Sequence, residues 1–191
     1  MWIALFLMMA ARFWESKPPA EWTEKEMDII LSDSPWAQSV GASSTSPVAR
    51  VYLATAEPMR MAEKEMRRRY VRAGKAVDEM HEEYELFLRE NQGKAIVVAV
   101  NLAAANFPAE GAEIKHMEEE CILKIGRRKF KLAGHFPPSR TDPYLRLAFP
   151  REARPEDKDL VFQLYVPGLS SPFREVRFVL KELRFKDGVE Y

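Results

Sequence analysis

The sequence predicts an α+β protein: a mixed, mostly antiparallel sheet or sandwich of about seven strands, with one long helix inserted between two of them. Three observations carry this. Short segments alternate apolar and polar residues at strand period; residues 95–102 are apolar on both faces; and residues 58–91 repeat apolar side chains at helical spacing. A shorter helix is expected near the N-terminus.

Composition narrows the class. At 191 residues the chain has length for one well-cored domain with an appendage. Hydrophobic residues at 47% and charged residues at 30% exclude a largely disordered chain. Lys plus Arg and Asp plus Glu number 29 each, and this balance argues against a dedicated nucleic-acid binder. The single cysteine, Cys121, excludes an internal disulfide and a cysteine-built zinc site, and no cofactor is expected.

Three segments are expected: a signal-like apolar start (1–14), a spacer, short helix and linker (15–47), and one α+β domain (48–191). Residues 2–11, WIALFLMMAA, are too short to cross a bilayer, which takes ~20 residues, but they match the apolar centre of a secretory signal. No Lys or Arg precedes the run. Export to the periplasm or the medium is therefore the expectation, with membrane contact only through this segment; a buried N-terminal helix in a cytoplasmic protein is the alternative.

Residues 15–20 form a polar spacer. Thr23 and Glu26 then make a capping box, and Trp22 and Met27 stand at the spacing of a hydrophobic staple. Met27, Ile30 and Leu31 give a nine-residue helix its apolar face, and Ser34-Pro35 stops it. Flanked by Trp22 and Trp36, this helix reads as a clasp on the main body, with an aromatic ligand platform as the alternative. The segment Trp22-Thr23-x-x-Glu26 … Ser34-Pro35-Trp36-Ala37, with the blocks 148–151 and 176–185, resembles a family of uncharacterised exported bacterial proteins. That resemblance implies export and supplies no activity.

Residues 38–47 read as a polar linker. A strand over 48–54 places Ala49, Val51 and Leu53 on one face and Arg50 and Tyr52 on the other. Pro58 opens the long helix, whose stripe runs through Met59, Met66, Ala73, Met80 and Phe87, with Tyr70, Val77 and Tyr84 alongside. Strand, helix and strand together predict a crossover between parallel strands. A hairpin follows, with Ile125 opposite Phe130 and Leu123 opposite Leu132 about a turn at Arg127-Arg128. Strands at 144–149, 160–166 and 175–180 complete the set. Parity flips after Lys181, which predicts a bulge or break.

Residues able to carry chemistry are few. His116, Glu118, Glu119, Glu120 and Cys121 contain metal-ligand types, but read as an acidic strand start they alternate between faces. His135, Ser139 and Asp142 hold triad residue types inside one proline-rich loop, where hydrogen bonding within the loop is the better account. No catalytic, cofactor or metal residue is assigned. The one charge pattern of note is on the helix: Arg60, Lys64, Arg67, Arg68 and Lys75 lie opposite the apolar stripe, and acids dominate from 78 to 90. The expectation is an exported structural or interaction module for an unknown protein partner of the cell envelope. Its contact surface is these cations or the Trp22/Trp36 clasp. A small-ligand or enzyme site between long helix and sheet is the alternative.

Overall fold

A computed structural model describes residues 13–41, 49–75, 79–101, 111–139, 141–169 and 171–191, without the side chains of 79–81. The expected signal run at 2–11, Val77, Met80 and most of the linker at 38–47 lie outside this description. Among the described residues no helix is long and apolar enough to cross a membrane.

The elements in chain order are α1 (Phe13–Ser16), a 3-10 turn (Pro19–Glu21), α2 (Glu24–Ser32), β1 (Ala37–Val40), β2 (Ala49–Leu53), α3 (Glu57–Arg72), α4 (Glu79–Glu90), β3 (Ala95–Asn101) and α5 (Gly111–Glu120). After them come β4 (Ile122–Ile125), β5 (Arg128–Lys131), β6 (Gly134–Phe136), β7 (Tyr144–Pro150), β8 (Asp159–Tyr165) and β9 (Phe173–Val179). A 3-10 turn (Leu180–Glu182) and the short ribbon β10 (Arg184–Phe185) and β11 (Gly188–Val189) close the chain.

The fold is α+β, with antiparallel sheets of five strands (β1-β2-β3-β7-β6), four strands (β5-β4-β8-β9) and two (β10-β11). The two larger sheets stack as a sandwich. Leu145, Leu147 and Phe149 project from β7 into its interior, where the Phe149 ring meets Phe162 of β8 at 5.4 Å, and Phe162 meets Phe178 of β9 at 6.0 Å. The opposite face of the five-stranded sheet carries Tyr52, Ala99, Arg146 and Phe136 in one row across β2, β3, β7 and β6. Side chains of α3 and α4 cover this row: Tyr52 bonds Glu63 of α3, and Phe136 packs on Tyr84 and Phe87 of α4. Covered on both faces, β3 is apolar almost end to end, as a central strand must be.

The single helix expected over 58–91 is two helices. Residue Ala73 caps α3, Gly74 takes a left-handed φ of 72°, and the chain reverses. The parallel crossover falls with it, because β2 and β3 are antiparallel neighbours. Such neighbours need a connection that leaves and returns at the same end of the sheet, which a helical hairpin supplies and one ~50 Å helix cannot. Tyr70, expected on the buried stripe, is exposed.

Other expectations shift locally. The N-terminal helix is as expected, with both halves of its Thr23–Glu26 capping box formed. But Phe13 and Trp14, assigned to the signal-like start, are buried in α1, with Trp14 against Trp36 at 5.8 Å and Phe13 against Trp22 at 5.5 Å. Residues 37–40, partly assigned to the linker, form edge strand β1. The β4–β5 hairpin pairs Ile125 with Arg128 and Leu123 with Phe130, so its turn centres on Gly126-Arg127. Gly126 there adopts a φ of 59°, the conformation a tight hairpin turn needs and Arg127-Arg128 could not supply. The parity flip after Lys181 is the 3-10 turn at 180–182. Residues 116–120, read as an acidic strand start, belong instead to helix α5: Ile114, Met117 and Cys121 line its inner side at helical spacing.

Candidate functional site

A buried polar cluster lies under the helical hairpin. Ala99 sits between Tyr52 and Arg146 in their row, and this small residue leaves space for an arginine to lie between sheet and helices. Arg146 donates through Nη2 to Glu63 Oε1 at 2.9 Å and through Nη1 to Asp142 Oδ2 at 2.6 Å. The Tyr52 hydroxyl donates to the same Glu63 oxygen at 2.6 Å. The guanidinium also stacks over Tyr84 at 4.5 Å and Tyr144 at 5.5 Å. Burial opposes the charge on Arg146, but Glu63 and the groups around it outweigh that and hold its pKa well above the ordinary value. Burial and the Glu63 charge push the Tyr52 and Tyr84 hydroxyls well up, and Tyr144 up to about 12. The Arg146 guanidinium therefore stays charged and the three tyrosine hydroxyls stay protonated near neutrality. The cluster ties β7 to α3 through Glu63 and to the loop before β7 through Asp142.

Beside it, a groove of about 230 Å³ runs between α2, α3 and β2, with Tyr144 in its wall. Met27, Leu31 and Met66 supply apolar lining, and Arg50, Arg69, Glu24 and Asp28 supply charge. The charges are mutually engaged: Arg50 meets Asp28 at 2.6 Å, and Arg69 donates to the Trp22 carbonyl at 2.6 Å and to Glu65 at 2.8 Å.

The residues considered for metal or triad chemistry are separated. His116 lies on α5 with its ring against Tyr165 at 4.5 Å, and His135 on β6 has Nδ1 at 3.4 Å from Glu118. Ser139 Oγ accepts from the backbone N–H groups of Thr141 and Asp142, while the Asp142 carboxylate is held by Arg146. Burial pushes the Cys121 thiol up to about 11, and its sulfur accepts from the Tyr165 N–H at 3.3 Å. Among the described residues no group of three His, Cys, Asp or Glu side chains could hold a metal.

Of the proposed contact residues, Trp22 and Trp36 are interior. Trp22 Nε1 donates to the Lys17 carbonyl at 3.1 Å and Trp36 Nε1 to the Glu190 carbonyl at 2.8 Å, so the clasp spends both indoles on the core. The helix cations divide. Arg60, Lys64, Arg68 and Lys75 are exposed on the outer side of α3, with Arg72. Arg67 is half-buried and faces α4, 3.7 Å from Glu85. Arg68 and Arg69 both close on buried Glu65 at 2.8 Å. Beside these cations sits Val71, whereas Tyr70 lies in the groove wall with Lys75 Nζ 4.6 Å from its ring centre; on the outer side of α4 sits Leu86 among Glu82, Glu83, Arg89 and Glu90. Tyr70, Val71 and Leu86 are 46%, 54% and 47% exposed, and are three of the five large hydrophobic side chains left exposed among the described residues. Sequence pattern missed Leu86 because a heptad stripe drawn through one continuous helix hides where the second helix begins, and missed Val71 because the outer face of the first helix was read for its cations alone. Comparison with protein-family models, with curated proteins and with solved structures finds no match to this chain.

Proposed function

We propose that the chain is an exported, non-enzymatic interaction module whose contact surface is the outer side of the α3–α4 hairpin. The observation that carries this is the exposure of Val71 on α3 and Leu86 on α4, the first bordered by the α3 cations and the second by the α4 acids. A rigid three-layer body presents this surface, and the ionisable groups beneath it are locked in structural bonds. The envelope location rests on the apolar run at 2–11 and on the resemblance of the Trp22–Ala37 segment. A photo-crosslinking residue in place of Arg68 should trap a protein of the native envelope, whereas one in place of Lys129, on the far edge of the sandwich, should not. Equal trapping from both positions, or from Lys129 alone, rejects the surface.

The groove walled by Tyr144 supports a second reading, a small-ligand site, because about 230 Å³ with apolar lining suits one ring-sized group. Ligand-observed NMR against small aromatic compounds tests it: any true hit must vanish in Met66→Trp, which fills the groove.

A further inference from the structure

The α3–α4 surface carries both halves of a charge match. On its outer side α3 presents Arg60, Lys64, Arg68, Arg72 and Lys75, and α4 presents Glu82, Glu83 and Glu90 with one cation, Arg89, among them. Lys64 and Arg72 form no ion pair with any described residue, and neither do Glu82, Glu83 or Glu90. The helices run in opposite directions, because the hairpin must leave β2 and return to β3 at the same end of the sheet. Arg67 and Glu85 face each other across the pair at 3.7 Å and so stand level. At 1.5 Å per residue this sets Arg68 level with Glu83, and Lys64 within about 3 Å of the level of Glu90.

Resting on the contact surface proposed above, we infer that its occupant is a second copy of this chain. A two-fold axis lying between α3 and α4, parallel to both, lays α3 of one copy on α4 of the other. That operation brings the cationic helix onto the acidic one twice over, and sets Leu86 of each copy between the levels of Lys64 and Arg68 of the other, whose alkyl stems can cover it. The other in-plane axis stacks α3 on α3 and sets five cations against five. Self-complementarity of this kind is what an isologous dimer requires. With α3 ~24 Å and α4 ~18 Å long and about 10 Å between axes, the shared face covers roughly 400 Å² per copy, about 800 Å² in total, the size of a weak, transient contact. The dimer is therefore weak, in the micromolar range, and loosened by salt.

Sedimentation velocity on the full chain, from 1 μM to 1 mM at low and high salt, reads this out. The wild type should dimerise, and raising salt to about 1 M should weaken association at least tenfold. Lys64→Glu/Arg68→Glu and Glu83→Lys/Glu90→Lys should each be monomeric across that range, and an equimolar mixture of the two should recover a dimer, because each restores the other's match. Leu86→Gln, neutral in charge, should weaken association about tenfold, independently of the charge variants. A wild type that stays monomeric to 1 mM overturns the inference while leaving the crosslinking test of the contact surface untouched. Charge variants that dimerise like the wild type, or a mixture that stays monomeric, overturn it equally.

Discussion

Replacing Trp14 by Ala tests how far the core reaches toward the N-terminus. The indole is 6% exposed and packs edge-on against Phe13 at 5.1 Å and Trp36 at 5.8 Å. Truncating a buried tryptophan costs ~3–5 kcal/mol. Part of that is offset here, because the buried Nε1 has no hydrogen-bond partner, and a desolvated, unsatisfied donor already costs ~1–3 kcal/mol. The net loss expected is about 2–3 kcal/mol. Trp36→Ala gives the contrast: its Nε1 donates to the Glu190 carbonyl at 2.8 Å, so nothing is recovered on truncation and the loss should reach ~4–5 kcal/mol. Guanidinium unfolding followed by far-UV circular dichroism measures both. At a slope of ~4 kcal/mol per molar, Trp14→Ala should lower the midpoint by roughly 0.5–0.8 M and Trp36→Ala by about 1 M or more. A midpoint unchanged in Trp14→Ala would show that α1 is not docked; a loss equal to that of Trp36→Ala would refute the role given to the unsatisfied N–H.

Arg146→Met leaves the Glu63 and Asp142 carboxylates facing each other without their cation, and should destabilise by ~3–5 kcal/mol in urea unfolding. Arg146→Met with Glu63→Gln and Asp142→Asn should recover most of it; an equal loss in the triple variant would assign the cost to shape rather than charge. For Glu65, burial pushes the carboxyl up, but hydrogen bonds from Arg68 and Arg69 outweigh it and leave the pKa below its ordinary value of 4.5. Its contribution is therefore complete above that value and is lost as pH falls through the lower folded-state value. Stability measured from pH 6 to pH 3 should fall less steeply in Glu65→Gln than in the wild type, and parallel curves would remove the Arg68–Glu65–Arg69 cluster from the account.

Strand positions were the most legible part of the sequence, because burial on one or both faces writes itself into side-chain period. The run 95–102 anticipated β3, and the alternation of Leu160, Phe162 and Leu164 anticipated β8. Where two structures share a pattern, the pattern misled. A heptad stripe crosses the Gly74 turn without a break, so two helices read as one, and with them an antiparallel neighbour read as a parallel one. In α5 only Met117 is fully buried, and the acidic run after it hid the spacing of Ile114, Met117 and Cys121. The cluster around Arg146 was invisible for a different reason. In the run Leu145-Arg146-Leu147 an arginine reads as the solvent side of a strand, and only the helices laid over that face by distant residues make it interior. The contact surface was half legible. Its cations on α3 were identified from helical spacing, whereas Leu86 and the acids around it gained meaning once α4 was a separate helix beside α3.

The strands of the two large sheets are interleaved along the chain. Three successive strands, β1 to β3, wait for β7, and β4 and β5 wait for β8 and β9, so the five-stranded sheet is not whole until residue 150 and the four-stranded sheet not until residue 179. A chain emerging from a ribosome at ~5–20 residues per second therefore exposes the apolar ladder edge of β3 for several seconds before its partner at 144–150 exists. Over that interval the native state is out of reach whatever the local preferences of the helices. Neither sheet can close for most of the chain's own synthesis, and over that time its open strand edges are available to a holding chaperone.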